Sequence, residues 1–336
     1  MNKQPSITDK VDAITKIGDE RIQTGGFQPA PKSVKIEITA RCNLRCKYCG
    51  LSSRAKQPTR DMPLDFFKRI TTDMRQAGVE EIGVFYLGES FMAPDLLIDA
   101  VKWCKQELAF PWVFLTSNAT RAYPEFVNPL FGYGLDSLKW STNFRSPGHF
   151  RAMTGASGKL WGRALANIQD AFYIRSKLKA KTILSASSII FYDDDQFKKM
   201  RAFVKDHIAP YVDRHYWLPT YQMGMASEKI RKELGVDATV GNMGRIDERT
   251  MLPNRAPLPC WAVFTEGHVR VDGGLSACCF GADDRFDMGI LDGKNFMDQW
   301  NSPKFQTLRD AHIATMRDGS KALENTPCRT CVTQGK

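Results

Sequence analysis

Three cysteines crowded into one short loop constrain this chain more than any other feature of its sequence. Cys42, Cys46 and Cys49 have the spacing C-x3-C-x2-C, and they follow residues 34–38, an alternating run that predicts a strand. Three thiolates this close together can hold a metal centre, but they leave one iron of a four-iron cluster without a protein ligand. An open coordination position is where substrate or cofactor chemistry takes place. The loop therefore predicts a reactive metal centre.

Two alternatives exist for the same loop, a zinc site completed by a distant ligand and simple burial of apolar thiols. Structural zinc usually takes paired cysteine knuckles from two separate loops. Here the three candidate ligands share one loop, and no histidine lies near them in the sequence. The pattern favours an iron–sulfur centre.

With Tyr48 directly before the last cysteine, the loop resembles the signature of the radical S-adenosylmethionine (SAM) superfamily. The resemblance implies that Cys42, Cys46 and Cys49 bind a 4Fe-4S cluster whose open iron chelates SAM, and that Tyr48 contacts the cofactor. It also implies that a reductant such as flavodoxin or ferredoxin supplies an electron. SAM is then cleaved to a 5′-deoxyadenosyl radical.

Strands and amphipathic helices alternate along residues 33–225, which predicts six βα units in a parallel, open sheet. The expected strands are 34–38, 82–86, 113–117, 137–141, 182–190 and 215–218, and the expected helices are 64–76, 94–107, 124–130, 160–179 and 194–207. The predicted fold is α/β, a partial (β/α)6 TIM-like barrel of radical SAM type. Its chemistry should lie at the C-terminal ends of the strands, where the cysteine loop already is.

Polar tips follow three of these strands. The segment 87–90 resembles the family's GGEP motif, whose backbone meets the SAM amino group, although its first and last positions differ from that motif. The resemblance implies that Gly88 and Glu89 bind SAM. Ser117, Asn118 and Ser141 can hydrogen-bond a ribose or a methionyl carboxylate. The same residues are also typical of helix N-caps and turns.

Hydroxyl groups within the fifth strand, at Ser185 and Ser188, suggest a polar interior for the barrel, although serine in a strand can also face a helix. Cys104 lies inside a predicted helix, far from the other cysteines, and we expect it to be a buried structural thiol.

Four further cysteines near the C-terminus, Cys260, Cys278, Cys328 and Cys331, can fully ligate a second metal centre. From the residues alone, a zinc ribbon and an iron–sulfur cluster fit this set about equally. The order of Cys, Asp-Gly-x4-Cys, Trp-Asn-Ser and C-x2-C resembles the SPASM/twitch module. The shorter, four-ligand twitch form implies one auxiliary 4Fe-4S cluster. Cys279 is then spare, either as a bystander or as a thiol that donates a hydrogen atom to a product radical.

The predicted domains are an N-terminal leader at 1–32, the radical SAM barrel at 33–225, a linker at 226–258 and the auxiliary-cluster module at 259–336, a small α+β unit. The leader is too short to be an independent peptide-binding domain. This counts against a ribosomal-peptide substrate.

The formal net charge of +10 favours an anionic partner such as a nucleotide or DNA, although dispersed surface charge is the simpler explanation. The sequence has no run of eighteen apolar residues and begins with a polar segment. We therefore expect no membrane association and a cytoplasmic location.

The resemblance implies hydrogen abstraction that drives an isomerisation, epimerisation or oxidation, aided by the auxiliary cluster. The substrate classes that we consider are a nucleotide or nucleobase, for example hypermodified thymine in phage DNA, and a sugar or aminocyclitol. The alternatives are a peptide-modifying radical SAM enzyme and a non-catalytic zinc protein that binds nucleic acid.

Overall fold

A computed structural model describes residues 16–53, 59–190, 193–219, 245–247, 249–250, 258–279 and 284–329. The described strands are β1 Ser33–Ile36, β2 Glu81–Gly83, β3 Trp112–Ser117, β4 Ser137–Ser141, β5 Ile183–Ile189, β6 Arg214–Leu218, β7 Glu266–Val269, β8 Gly274–Ser276 and β9 Asp287–Ile290. Residues 1–15 of the predicted leader, most of the predicted linker and Cys331 lie outside this part of the chain.

Ten α-helices accompany the strands in the described residues, and none of them is long and apolar enough to cross a membrane. They are α1 Asp19–Gln23, α2 Leu64–Gln76, α3 Pro94–Lys102, α4 Pro124–Gly132, α5 Pro147–Thr154, α6 Lys159–Leu178, α7 Asp194–His207, α8 Ala262–Thr265, α9 Phe296–Trp300 and α10 Pro303–Asp318. The predicted helices 64–76 and 194–207 begin and end at the expected residues.

The strands form one open sheet in the order β6-β5-β4-β3-β2-β1-β7-β8-β9. β1 to β6 are parallel and joined by helical connections, which confirms the predicted partial barrel. β7 pairs in parallel with β1, in the register Ser33 to Glu266 and Ile36 to Val269. The hairpin β7–β8 of the C-terminal region therefore continues the sheet of the barrel.

Alternation along the strands gives the sheet two different faces. The outer face packs against the helices and is apolar in every central strand, with Val34, Ile36, Ile82, Val113, Leu115, Leu138, Trp140, Leu184 and Ala186 in the main core. Since successive side chains point to opposite faces, the residues between these line the inner face, here called the lumen. This face carries the polar and charged side chains.

Two helical features of the barrel differ from the expectation. Helix α5 begins with Pro147-Gly148, which resembles a turn in sequence, but Ser146 caps it through a hydrogen bond from His149 N to Ser146 Oγ of 3.2 Å. The second is a π-helical turn, Trp103–Glu107, which continues α3. Cys104 lies in this turn and is fully buried, in agreement with a structural thiol.

Candidate active site

The cysteine loop, residues 42–49, leaves β1 at the C-terminal edge of the parallel strands, where a barrel of this kind carries its chemistry. Helix α5 holds the loop from one side through two backbone hydrogen bonds. Arg45 N donates to Thr154 O at 2.9 Å, and Lys47 N donates to Met153 O at 3.0 Å. The loop is thus held by a helix that the sequence pattern did not reveal.

The three thiols of Cys42, Cys46 and Cys49 are half-buried and close enough to affect one another electrostatically. Burial raises the pKa of Cys42 to about 12, and the Glu89 carboxylate adds to the effect. Burial also raises the pKa of Cys46. Thiolates in such surroundings require a cationic partner, which an iron–sulfur cluster supplies.

In the described part of the chain, no three His, Cys, Asp or Glu side chains are arranged to bind a single metal ion. The case for a cluster therefore rests on which residues are present in the loop, and not on their arrangement around one metal ion. Three neighbouring thiols on one loop are the ligands expected for a 4Fe-4S cluster with one open iron.

Tyr48 connects the cysteine loop to the ends of β4 and β5. Asn143 Nδ2 donates to Tyr48 Oη at 2.9 Å, and Asn143 Oδ1 accepts a 3.0 Å hydrogen bond from Ile189 N. The Tyr48 hydroxyl also hydrogen-bonds to the Cys46 thiol. Tyr48, which the sequence analysis expected to contact the cofactor, therefore holds the loop in place through its hydroxyl group.

Gly88 lies directly against the backbone of the chain that enters the cysteine loop. A Cβ atom at position 88 would stand 2.0 Å from Thr39 O and 3.0 Å from Arg41 O. The next residue completes the contact, because Glu89 N donates to Arg41 O at 2.8 Å. This close approach of two backbones requires glycine at position 88.

The carboxylate of Glu89 is buried and joins the ends of β2 and β3. It accepts hydrogen bonds from Ser117 Oγ at 2.9 Å, Asn118 N at 2.7 Å and Phe91 N at 3.2 Å. Burial raises its pKa, and these three donors oppose that effect. The Glu89 carboxylate is thus engaged within the protein, while Asn118 Nδ2 reaches Asn43 Oδ1 in the cysteine loop at 3.2 Å.

Ser141 is half-buried at the end of β4, and its hydroxyl makes no hydrogen bond to the described residues. It lines a small cavity of about 10 Å³, which is bordered mainly by apolar side chains such as Phe144, Ala164 and Ile168. The side chains of Ser117, Asn118 and Tyr48 are engaged in hydrogen bonds, whereas that of Ser141 has none to break within the described residues before it binds a ligand.

The second set of cysteines is partly gathered around the hairpin β7–β8. Cys260, Cys278 and Cys279 pack in one apolar cluster with Trp261. Tyr86 Oη donates to Cys278 O at 2.8 Å, so that this cluster lies beside the end of β2. Cys328 is buried against the main core.

A group of charged residues in the lumen was not anticipated from the sequence. Lys35 Nζ forms a 2.7 Å ion pair with Glu266 Oε1, and His268 Nε2 lies 3.2 Å from Glu266 Oε2. Burial lowers the pKa of Lys35, but Glu266 outweighs this effect and the pKa is raised. Burial lowers the pKa of His268 and keeps the ring neutral. A charged residue between apolar strand neighbours, as in Val34-Lys35-Ile36, was the sequence signal that could have indicated a charge in the lumen.

Comparison with protein families gives two matches that together cover most of the described chain. The model of the radical SAM superfamily matches residues 36–183. The model of the SPASM domain, an iron-sulfur cluster-binding domain, matches residues 260–332. The two matched regions correspond to the barrel with the first cysteine loop and to the C-terminal region with the second cysteine set.

Several curated relatives match parts of the chain, among them a heme synthase and a cyclase. The AdoMet-dependent heme synthase of Methanosarcina barkeri is 30% identical over 143 residues, which are 42% of this chain and 39% of that protein. The GTP 3′,8-cyclase of Mannheimia succiniciproducens is 26% identical over 201 residues, which are 57% of this chain and 55% of that protein. The chain thus matches about two fifths to just over half of the length of these relatives.

Solved structures share the fold at low sequence identity. SuiB of Streptococcus suis, bound to the precursor peptide SuiA, superposes with a TM-score of 0.61 at 14% identity, covering 86% of this chain and 69% of SuiB. BtrN, in complex with AdoMet and 2-DOIA, gives a TM-score of 0.57 at 14% identity, covering 91% of this chain and 94% of BtrN.

These matches agree with the cysteine loop, the open parallel barrel and the C-terminal cysteines. Such proteins use SAM, a SAM-binding 4Fe-4S cluster and auxiliary iron–sulfur clusters in the C-terminal domain. The chain combines a radical SAM domain with a C-terminal SPASM iron–sulfur domain, the domain arrangement of radical SAM enzymes.

Proposed function

We propose that this enzyme cleaves SAM reductively at the mouth of its open barrel and abstracts hydrogen from a substrate held in the lumen. The observation that carries the proposal is the hydrogen-bonded unit at the C-terminal ends of the strands. There the cysteine loop, the turn at Gly88 and the tips Ser117 and Asn118 are joined through Glu89. A polar lumen lies directly below this unit.

In this proposal, Cys42, Cys46 and Cys49 hold the SAM-binding cluster, and the backbone at Gly88 and Glu89 together with Ser141 contacts SAM. When bound, the reduced cluster and SAM supply a 5′-deoxyadenosyl radical that abstracts hydrogen from an unactivated C–H bond. The chain itself fixes the position of the reacting groups and keeps water away from them.

Cys260, Cys278, Cys328 and Cys331 are proposed to hold one auxiliary 4Fe-4S cluster. Complete ligation by four thiolates leaves no coordination site for a substrate, so electron transfer is the role that remains. The pairing of β7 with β1 places the hairpin before Cys278 at the edge of the lumen. This position suits the delivery or removal of one electron in an isomerisation, an epimerisation or an oxidation.

The proposed substrate is a nucleotide or nucleobase, of which hypermodified thymine in phage DNA is one example. The net charge of +10 suits an anionic substrate, and the matched cyclase is named for its action on GTP. The second substrate class is a sugar or aminocyclitol. A cationic aminoglycoside agrees less well with the charge of the protein.

Transfer of deuterium tests the substrate class. The reconstituted enzyme is given SAM, dithionite and either perdeuterated nucleotides or perdeuterated sugars, and 5′-deoxyadenosine is analysed by mass spectrometry. Deuterium in 5′-deoxyadenosine from the nucleotide set alone supports the proposal. Deuterium from the sugar set alone moves the assignment to the second class, and deuterium from neither set contradicts both.

A further inference from the structure

The position of Lys139 on β4 determines the direction in which its side chain points. Its neighbours Leu138 and Trp140 are in the core with the helices, so the lysine side chain faces the lumen. Ser141 follows on the same face, two residues or about 7 Å closer to the mouth of the barrel. Lys139 therefore lies one layer below the proposed SAM-binding tip, where the far end of a bound substrate would be.

The ammonium group of Lys139 has no ion pair or hydrogen bond within the described ranges. Its nearest aromatic ring, that of Tyr216, has its centroid 5.8 Å from Nζ, close to the outer limit for a cation–π interaction. Burial, together with the positive charge of Lys35, lowers the pKa of Lys139 to about 8. Glu266 and the Cys279 thiol oppose this effect, and Glu266 is already paired with Lys35.

Two other half-buried lysines of the described chain, Lys105 and Lys35, are paired. Lys105 Nζ donates to Asp136 Oδ2 at 2.8 Å and to Phe110 O at 3.1 Å. Lys35 has its 2.7 Å contact with Glu266. Buried cations are normally compensated in this way, because removing a charge from water is costly. Lys139 is half-buried on the lumen face and has no such partner among the described residues.

A second polar group beside Lys139 also lacks a partner within the described part of the chain. Ser185 is the direct neighbour of Lys139 on β5, and its own neighbours Leu184 and Ala186 are in the core. Its side chain therefore faces the lumen as well. Ser185 is fully buried, and its Oγ has no hydrogen-bond partner among the described residues. A buried hydroxyl without a protein partner is free to donate a hydrogen bond to a bound group or to water.

We propose that Lys139 and Ser185 form an anion-binding subsite in the lumen that takes a carboxylate or phosphate group of the substrate. The ammonium would supply the charge, and the hydroxyl would donate a hydrogen bond to the same anion. The inference rests on the proposed function, which places the reacting C–H bond at the mouth above this subsite.

Protection of Lys139 from acylation tests the subsite without a known substrate. The reconstituted holoenzyme is treated with acetic anhydride in three samples of equal ionic strength. These samples contain inorganic pyrophosphate, malonate or added chloride alone. Peptide mass spectrometry then gives the acetylation rate of Lys139 and of the exposed control Lys181. At an anion concentration four times the Kd, acetylation of Lys139 should slow about fivefold, with Lys181 unchanged.

The two anions separate the two chemistries, because protection by pyrophosphate alone assigns a phosphate and protection by malonate alone assigns a carboxylate. The Ser185→Ala variant should need a higher anion concentration for the same protection. No protection by either anion, equal slowing at Lys181, or unchanged protection in Ser185→Ala would overturn the subsite. Formation of 5′-deoxyadenosine in the same sample tests the proposed function separately.

Discussion

Replacement of Gly88 by alanine perturbs the contact between the SAM-binding turn and the cysteine loop. The new methyl group would stand 2.0 Å from Thr39 O, which is backbone and cannot move aside as a side chain would. The turn and the loop must separate by about 1.5 Å to restore an ordinary contact. This separation weakens the 2.8 Å hydrogen bond from Glu89 N to Arg41 O.

Overpacking of this kind costs about 1–3 kcal/mol, and the lost hydrogen bond adds about 1 kcal/mol. We expect the free energy of unfolding to fall by about 2–4 kcal/mol in total. The effect on activity should be larger, because a 1 Å displacement of reacting groups costs about a hundredfold in rate. The three cysteines are unchanged, so the variant should still assemble iron.

The assay compares urea denaturation, iron content and 5′-deoxyadenosine formation in Gly88→Ala and in Gly162→Ala. Gly162 lies within α6, and a Cβ there meets nothing within 4 Å. The control should keep wild-type activity and gain up to about 1 kcal/mol in stability. If Gly88→Ala cleaves SAM at the wild-type rate, the proposed contact between turn and loop does not govern the site.

Three further outcomes follow from the structure. Lys139→Met should unfold at a higher temperature than the wild type at pH 7. Because the pKa of Lys139 is lowered, its charge destabilises the folded state fully below about pH 8 and no longer does so above the ordinary lysine pKa of 10.5. The difference in melting temperature should therefore vanish at high pH, and a difference that stays the same at all pH values would contradict this. Cys279→Ala should keep its full iron content, whereas Cys278→Ala should lose about four irons; equal losses on iron analysis would make Cys279 a ligand. Tyr48→Phe should lose about 1 kcal/mol of stability in urea, since Asn143 Nδ2 loses its acceptor, while iron content is retained; wild-type stability would show that this hydrogen bond does not support the loop.

Local sequence patterns were sufficient to predict the barrel. The six parallel strands and the helices between them follow from apolar periodicity, and the position of the cysteine loop follows from its place after β1. The turn at Gly88 and the tips Ser117 and Asn118 also lie together, as the topology implies. Their side chains, however, bind one another through Glu89, and a motif cannot reveal which polar groups are satisfied internally.

Features that depend on contacts distant in sequence could not be predicted. The pairing of β1 with β7 joins residues more than two hundred positions apart, and no periodicity records it. The pairing of Lys35 depends on this contact between strands, because its partner Glu266 belongs to β7, and so does the lack of a partner for Lys139 among the described residues. Helix α5 was missed for a local reason, since its Pro147-Gly148 start is more typical of a turn.

The most direct test of the central claim is the iron content of the anaerobically reconstituted chain, followed by addition of SAM and dithionite. We expect about eight irons per chain, from two four-iron clusters, together with 5′-deoxyadenosine. Cys46→Ala should lose about four irons and all 5′-deoxyadenosine formation, whereas Cys104→Ala, at the buried structural thiol, should lose neither. Zinc without iron, or full iron without 5′-deoxyadenosine, would contradict the account.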